Sequence, residues 1–179
     1  IKRLIKNRQV HHYLADSEFN ASELIDYGVQ SGQLSIIAPF NRMQDFDNTA
    51  VNTELADGLS KEGPTILFVG RIAPNKGLKH LISVISEYVK MYDRDIQLNI
   101  VGDISPNFVT YYNEVDYLIE QKALLDVVFI RKKVSFQDLH TYYTHSDLFL
   151  LMSEHEGFCV PILEAQYDDL PIIALDRSA

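Results

Sequence analysis

The chain has 179 residues, 46% of them hydrophobic, with 10 Tyr and 9 Phe, enough for a domain with a real core. A formal net charge of -9 argues against a general nucleic-acid binder, which carries a basic excess. The single cysteine, Cys159, excludes an intrachain disulfide and fits a reducing compartment, and no apolar run reaches the ~18 residues of a membrane span. Along the chain, Ile1 to Arg8 carries Lys2, Arg3, Lys6 and Arg8, with Ile1, Leu4 and Ile5 at helical spacing. This predicts the end of an amphipathic helix with a solvated basic face; a membrane-surface helix is the alternative. His11 to Ala15 reads as a strand. Ser17 is placed to cap a helix running to about Tyr27, with Gly28 as its stop. Leu34 to Ala38 is a second strand, ended by Pro39. Arg42 to Gly63 is polar and reads as a linker.

An alternating series begins at Pro64. Strands are predicted at Thr65–Val69, Ile96–Val101, Val127–Ile130, Leu148–Met152 and Ile172–Leu175, with helices at about 77–91, 108–122, 136–145 and 159–168. That alternation is the pattern of an α/β fold: a Rossmann-like parallel sheet with helices on both faces. The expected division is 1–41, 42–63 as linker, and 64–179. The chain starts at Ile1 rather than Met and is expected to be a fragment of a longer protein, cut at both ends. No secretory signal is visible.

The chemistry is expected around Ser153 to Glu164. An apolar strand leads into a loop, and Pro161 sits in the first turn of the helix that follows. In open α/β sheets ligands bind at the carboxyl ends of strands, and a helix N-terminus there suits phosphate. Gly157 allows close approach of backbone to ligand, and a small residue at Cys159 serves the same approach. A carboxylate beside a phosphate would repel it, so Glu164 is assigned to hydroxyl groups such as a ribose diol, from which it can accept two hydrogen bonds. The alternative is two surface glutamates near a helix start, where negative charge is favourable.

Glu156 and Glu164 are separated by seven residues, with Gly157 and Phe158 directly after the first. This resembles the E-x7-E motif of retaining GT-B glycosyltransferases of family four, and the resemblance covers most of residues 11 to 179. It implies the donor-binding, C-terminal part of such an enzyme, with residues 1–41 from the end of its N-terminal domain. The implied donor is a nucleotide-diphosphate sugar. Glu156 would lie by the donor sugar and Glu164 would hold the ribose; Gly157, Phe158, Cys159 and Val160 complete that loop. Gly70 to Gly77 resembles the family's G-R-x4-K-G loop. There Arg71 binds phosphate oxygens with a planar fork and Lys76 adds a point charge, stabilising the departing diphosphate. By the same resemblance Glu156, Arg71 and Lys76 are the catalytic set, and the nucleobase lies near Lys133 and Val134.

Other features carry less. Gly102-Asp103 resembles a structural turn of the family. Ser135 reads as an N-cap with Asp138 in the box position. Pro39-Phe40-Asn41 stands where the family has a Pro-Asn-Gly crossover; the glycine is missing. The histidines have no metal-ligand spacing: His140 and His145 are off a common helical face, and His155 reads as exposed loop. Tyr142 and Tyr143 read as packing residues. No metal and no cofactor beyond the donor substrate is expected. The resemblance further implies retention of configuration, a hexose, mannose being the first candidate, a glycan or lipid-linked acceptor on the missing domain, and a role in polysaccharide or glycoconjugate synthesis. It also implies a cytoplasmic location, with the membrane surface met through the absent part. The fragment alone is expected to bind donor and transfer nothing. Two other readings stand beside this one: a sugar-nucleotide 2-epimerase of the same architecture, and a non-catalytic flavodoxin-like signalling module with Asp103 as its only phosphoacceptor candidate.

Overall fold

The computed structural model describes residues 5, 10–59 and 63–177. Apart from Ile5, the helix expected over Ile1–Arg8 lies outside the described residues. The chain divides into two compact units. One comprises Ile1–Asn41, His155–Val160 and Arg177–Ala179; the other comprises Arg42–Glu154 and Pro161–Asp176. No helix among the described residues is long and apolar enough to cross a membrane.

The first unit contains β1 (Tyr13–Ala15), α1 (Glu18–Asp26) and β2 (Leu34–Ile36). The two strands pair in parallel, Tyr13 opposite Leu34, so the helix is a crossover between them. The Ser17 hydroxyl accepts from the Asn20 N–H at 3.1 Å, satisfying an orphan amide of the first turn. Gly28, at φ +95, ends the helix, and the Val29 N–H returns to the Leu24 carbonyl at 3.1 Å, as in a glycine C-cap. Phe40, in the segment lacking the expected glycine, is 90% exposed.

The second unit is a five-stranded parallel sheet built from β3 (Thr65–Val69), β4 (Gln97–Val101), β5 (Val128–Ile130), β6 (Leu148–Leu151) and β7 (Ile172–Ala174). Between them run α3 (Leu78–Met91), α4 (Val109–Gln121), α5 (Phe136–Thr144) and α6 (Val160–Tyr167). Every residue of β4 is buried and so are four of the five in β3, as expected of strands covered on both faces. α3 buries Leu78, Leu81, Ile82 and Ile85, the i, i+3, i+4, i+7 stripe of a core-facing helix. Each such side chain contributes about 1.5–3 kcal/mol by burial. The predicted elements match these to within one or two residues.

The strand order is β5-β4-β3-β6-β7. The chain builds outward from β3 through β4 to β5, then returns to β6 on the other side of β3. Neighbouring strands whose connections leave in opposite directions mark the switch point of a doubly wound sheet. Here those strands are β3 and β6, so the sites of interest are the loops that leave them.

Two details depart from a plain hydrophobic sheet. β4 carries Gln97 and Asn99 in its buried interior. Gln97 Nε2 and Arg131 Nε both donate to Asn99 Oδ1, at 3.2 and 3.0 Å. Residues 42–63, read as a linker from their composition, also carry more structure than composition suggests. A 3-10 turn at Met43–Asn48 buries Phe46, and a helix at Thr53–Leu59, α2, buries Ala56 and Leu59. Phe46 stacks on Phe136 and His140, with centroids 4.9 and 4.8 Å away. Asn52 donates from its backbone to Thr141 Oγ1 and from its amide to Asp138 Oδ1, both at 2.8 Å. A few well-placed anchors hold the segment on α5 without an apolar period that could be read in advance.

Candidate functional site

Within the second unit, the carboxyl ends of the strands are stitched together through backbone. The Gly70 N–H donates to the Val101 carbonyl, Ile72 to Asp103, and Gly102 to Lys132, each at 3.0 Å. Gly102 has no room for a side chain, because a Cβ there would stand 1.8 Å from the Gly70 carbonyl oxygen. The Gly102-Asp103 turn is therefore explained by packing.

The Gly70–Gly77 loop is fixed by the same means. It leaves β3, forms a 3-10 turn at Pro74–Lys76, and reaches Gly77 in the left-handed region at φ +65. A Cβ on Gly77 would meet the Met152 carbonyl oxygen at 1.9 Å. The Glu154 N–H donates to the Asn75 carbonyl at 2.9 Å, and His80 Nε2 lies 3.1 Å from Glu154 Oε1. The loop from β3 and the exit from β6 are thus one backbone-bonded structure at the switch point. It presents Arg71, which is exposed, and Lys76, which is partly so. α3 begins directly after Gly77, whose carbonyl accepts from the His80 and Leu81 N–H groups at 2.9 and 3.1 Å, while the Leu78 and Lys79 amides face the Tyr111 hydroxyl and offset the rise that burial gives its titration. Beside them, Ser153 is 2% exposed and its hydroxyl has no hydrogen-bond partner.

The basic run after β5 divides. Arg131 turns into the sheet, bonded to Asn99 and lying over the Phe129 ring at 4.7 Å. Lys132 sits at φ +46, and Lys132 and Lys133 are exposed while Val134 is partly buried. The Ser135 hydroxyl accepts from the Asp138 N–H at 3.0 Å, capping α5. The loop holding Lys133 and Val134 adjoins the β4 exit through the Gly102–Lys132 bond.

Glu164 lies in the middle of α6. The Tyr143 hydroxyl donates to its Oε2 at 2.7 Å. Burial pushes the Glu164 carboxyl above the usual range, and the Tyr143 bond partly offsets this. One turn on, Asp168 is raised as well, chiefly by burial, with His140 offsetting and Glu164, Asp169 and Asp47 adding to the rise. Asp168 Oδ2 is buried without a partner, and Oδ1 stands 3.7 Å from His140 Nε2. His140 Nδ1 lies 2.9 Å from the Thr49 carbonyl, so Nδ1 carries the proton and donates. Tyr143, Asp168 and His140 escape a sequence reading. Their spacing fits a helix core equally well, and only the pairing of α5 with α6 reveals the polar contacts.

The remaining candidates, Glu156, Gly157, Phe158, Cys159 and Val160, group with the first unit. The residues flanking them, through Glu154 and from Pro161 on, group with the second. Glu156 and Cys159 are 7% exposed, and Cys159 sits at φ +61, a conformation costing about 1–2 kcal/mol for a residue with a Cβ. The His155 ring lies 5.7 Å from that of Phe19. A Cβ on Gly157 would meet Asn20 Nδ2 at 2.7 Å and Asp16 Oδ2 at 2.9 Å, two side chains hydrogen-bonded to each other. Gly157 thus has a packing reason to be glycine, besides any ligand.

The model of the family described as "Glycosyl transferases group 1" matches residues 53–179. A D-inositol 3-phosphate glycosyltransferase of Catenulispora acidiphila is 27% identical over 168 residues, covering 90% of this chain and 39% of that protein. An MMP alpha-(1->4)-mannosyltransferase of Mycolicibacterium hassiacum is 26% identical over 172 residues, covering 93% and 37%. Among solved structures, Anabaena HepE in complex with UDP and glucose superposes with a TM-score of 0.83 at 18% identity, covering 98% of this chain and 48% of that one. The chain therefore spans about two-fifths of the length of these curated relatives and about half of the HepE chain.

Proposed function

The chain belongs to the group 1 glycosyl transferases, and from that premise we propose that it is the nucleotide-sugar-binding part of a retaining hexosyltransferase. The observation that carries this reading is the backbone-fixed loop at the switch point. It carries Arg71, exposed, and Lys76, partly exposed, where the loop from β3 meets the exit of β6. Arg71 and Lys76 take the diphosphate. Glu164, in the same unit, takes the ribose diol, and Lys133 and Val134 border the base. Glu156, with Gly157, Phe158, Cys159 and Val160, serves the donor sugar. That HepE was crystallised with UDP and glucose supports a nucleotide-diphosphate sugar, and the mannosyltransferase relative makes mannose the first sugar to test.

In the proposed reaction the bond between the anomeric carbon and the diphosphate oxygen breaks. A bond from that carbon to an acceptor hydroxyl forms, and the hydroxyl proton leaves with the diphosphate. Charge builds on the departing diphosphate, which is where fixed cations act most strongly. A glycan or lipid-linked acceptor would be held by parts of the protein beyond these 179 residues, in the cytoplasm or at the membrane facing it. We assign no metal and no further cofactor to the step.

The test has two arms. Calorimetry with UDP, GDP, ADP and their sugars on residues 1–179 should give micromolar to millimolar binding of one base, and no binding of any would overturn the reading. A radiolabelled-donor assay on the full-length protein should give acceptor-dependent transfer, whereas release of nucleotide with an altered free sugar and no acceptor requirement would mark an epimerase. The same assay on residues 1–179 should give none, because positioning an acceptor opposite the donor can supply several kcal/mol of the barrier.

A further inference from the structure

We propose that Tyr143 is a positioning residue for Glu164, turning its carboxylate so that Oε2 is held by protein and Oε1 is kept for the ribose diol. This rests on the reading of Glu164 as the ribose-binding group. The hydroxyl–carboxylate bond is 2.7 Å, a short charge-assisted contact. Tyr143 is 1% exposed, with its ring between those of Phe46, 6.0 Å away, and Phe149, 6.1 Å away. A tyrosine wedged this way cannot follow its partner, so the partner follows it. No hydrogen bond to Oε1 is made among the described residues, and Glu164 is only part-buried, so this oxygen is the one a ligand can reach.

The surrounding charges show why such a tether is useful. Asp168, just past the end of α6, shares negative charge with Glu164, and Asp47 and Asp169 add to the charge around Asp168. From α5, His140 faces Asp168 rather than Glu164. Left alone, a half-buried carboxylate in this company would hold its proton or rotate towards solvent. An acid that has kept its proton accepts fewer hydrogen bonds, and a diol supplies two donors. By donating to Oε2, Tyr143 favours the ionised form and fixes its direction.

The test compares UDP and GDP with their 2′,3′-dideoxy counterparts on the parent, Tyr143→Phe, Glu164→Gln and the double variant. Tyr143→Phe should weaken the ribonucleotide by about ten- to a hundredfold, the range of a bond to a charged group, and leave the dideoxy ligand unchanged. The loss should vanish in the Glu164→Gln background. It should also move the acid limb of ribonucleotide binding to higher pH, because Glu164 loses the contact that lowers its titration. Equal losses for both ligands would make Tyr143 a structural residue and overturn the proposal. So would an unaffected Tyr143→Phe beside a Glu164→Gln that loses ribose discrimination. If Glu164→Gln itself discriminates nothing, the ribose reading falls first and takes the proposal with it. Should Tyr143→Phe fail to fold, 3-fluorotyrosine at position 143 keeps bulk and hydroxyl while strengthening the donor. The acid limb should then shift to lower pH, and an unmoved limb overturns the proposal.

Discussion

Gly77 and Met152 touch through backbone: a Cβ on Gly77 would stand 1.9 Å from the Met152 carbonyl oxygen. This contact sets how close the loop from β3 comes to the exit of β6. Gly77 also sits at φ +65, so two penalties coincide. Gly77→Ala should lose about 2–4 kcal/mol of stability, the left-handed cost together with overpacking against backbone. Gly28→Ala, at φ +95 but with nothing within 4 Å of the new Cβ, should lose only about 1–2 kcal/mol. Urea unfolding of the two variants side by side checks this. Equal losses would mean that the Met152 contact relaxes without cost.

Lys76→Ala should weaken UDP or GDP by about tenfold or more, the scale of one hydrogen bond to a charged group, and leave uridine or guanosine nearly unchanged. Calorimetry with the four ligands decides. If the nucleoside falls as far as the diphosphate, the lysine supports the fold and not the phosphates.

Ser153→Ala should stabilise the protein by about 1 kcal/mol, because the buried hydroxyl it removes has no partner. A polar group kept at such a cost beside the Gly70–Gly77 loop is expected to serve a ligand, if that loop takes the diphosphate as proposed. The same variant should therefore bind the nucleoside diphosphate more weakly. Thermal midpoints and calorimetric titrations on one preparation read both effects, and unchanged affinity would reduce the hydroxyl to a packing defect.

Asp168 gives a pH dependence with a definite sign. Its folded carboxyl is held above the ordinary range, mainly by burial. The stability linked to that proton is therefore present below the unfolded value, about pH 4. It is lost as pH rises through the folded value. Asp168→Asn has no proton to lose, so its advantage over the parent should grow from pH 4.5 to pH 7.5. The new amide can also donate to His140 Nε2, since Nδ1–H is engaged with the Thr49 carbonyl. Urea unfolding across that range checks the trend. An advantage that shrinks with pH would show that Asp168 is ionised in comfort.

The sheet was legible because its strands are short apolar-rich runs at regular spacing and its helices carry clear stripes, as α3 does with Leu78, Leu81, Ile82 and Ile85. The caps Ser17 and Ser135 were legible because an N-cap is a local device. The Gly70–Gly77 loop was legible as a loop because glycines and Pro74 follow a strand end. What could not be read is long-range. Tyr143 meets Glu164 across 21 positions, and Asn52 meets Asp138 across 86. Nor did the polar stretch 42–63 announce Phe46, since one buried ring makes no period. Cys159 at positive φ is likewise invisible in a residue string, because the conformation is set by what surrounds it.

β3, β4 and β6 are nearly interchangeable strings of apolar residues, and a chain with several such strings can assemble its sheet in the wrong order. Gln97 and Asn99 break that degeneracy. A one-residue slip of β4 would carry both amides to the opposite face of the sheet and bring Leu98 and Ile100 to where Arg131 needs an acceptor. The partly buried guanidinium would then lose its Asn99 acceptor, at a cost of about 1.5–3 kcal/mol. The polar pair acts as an address label: it tells β4 which neighbour and which register are its own, where hydrophobicity alone would accept several.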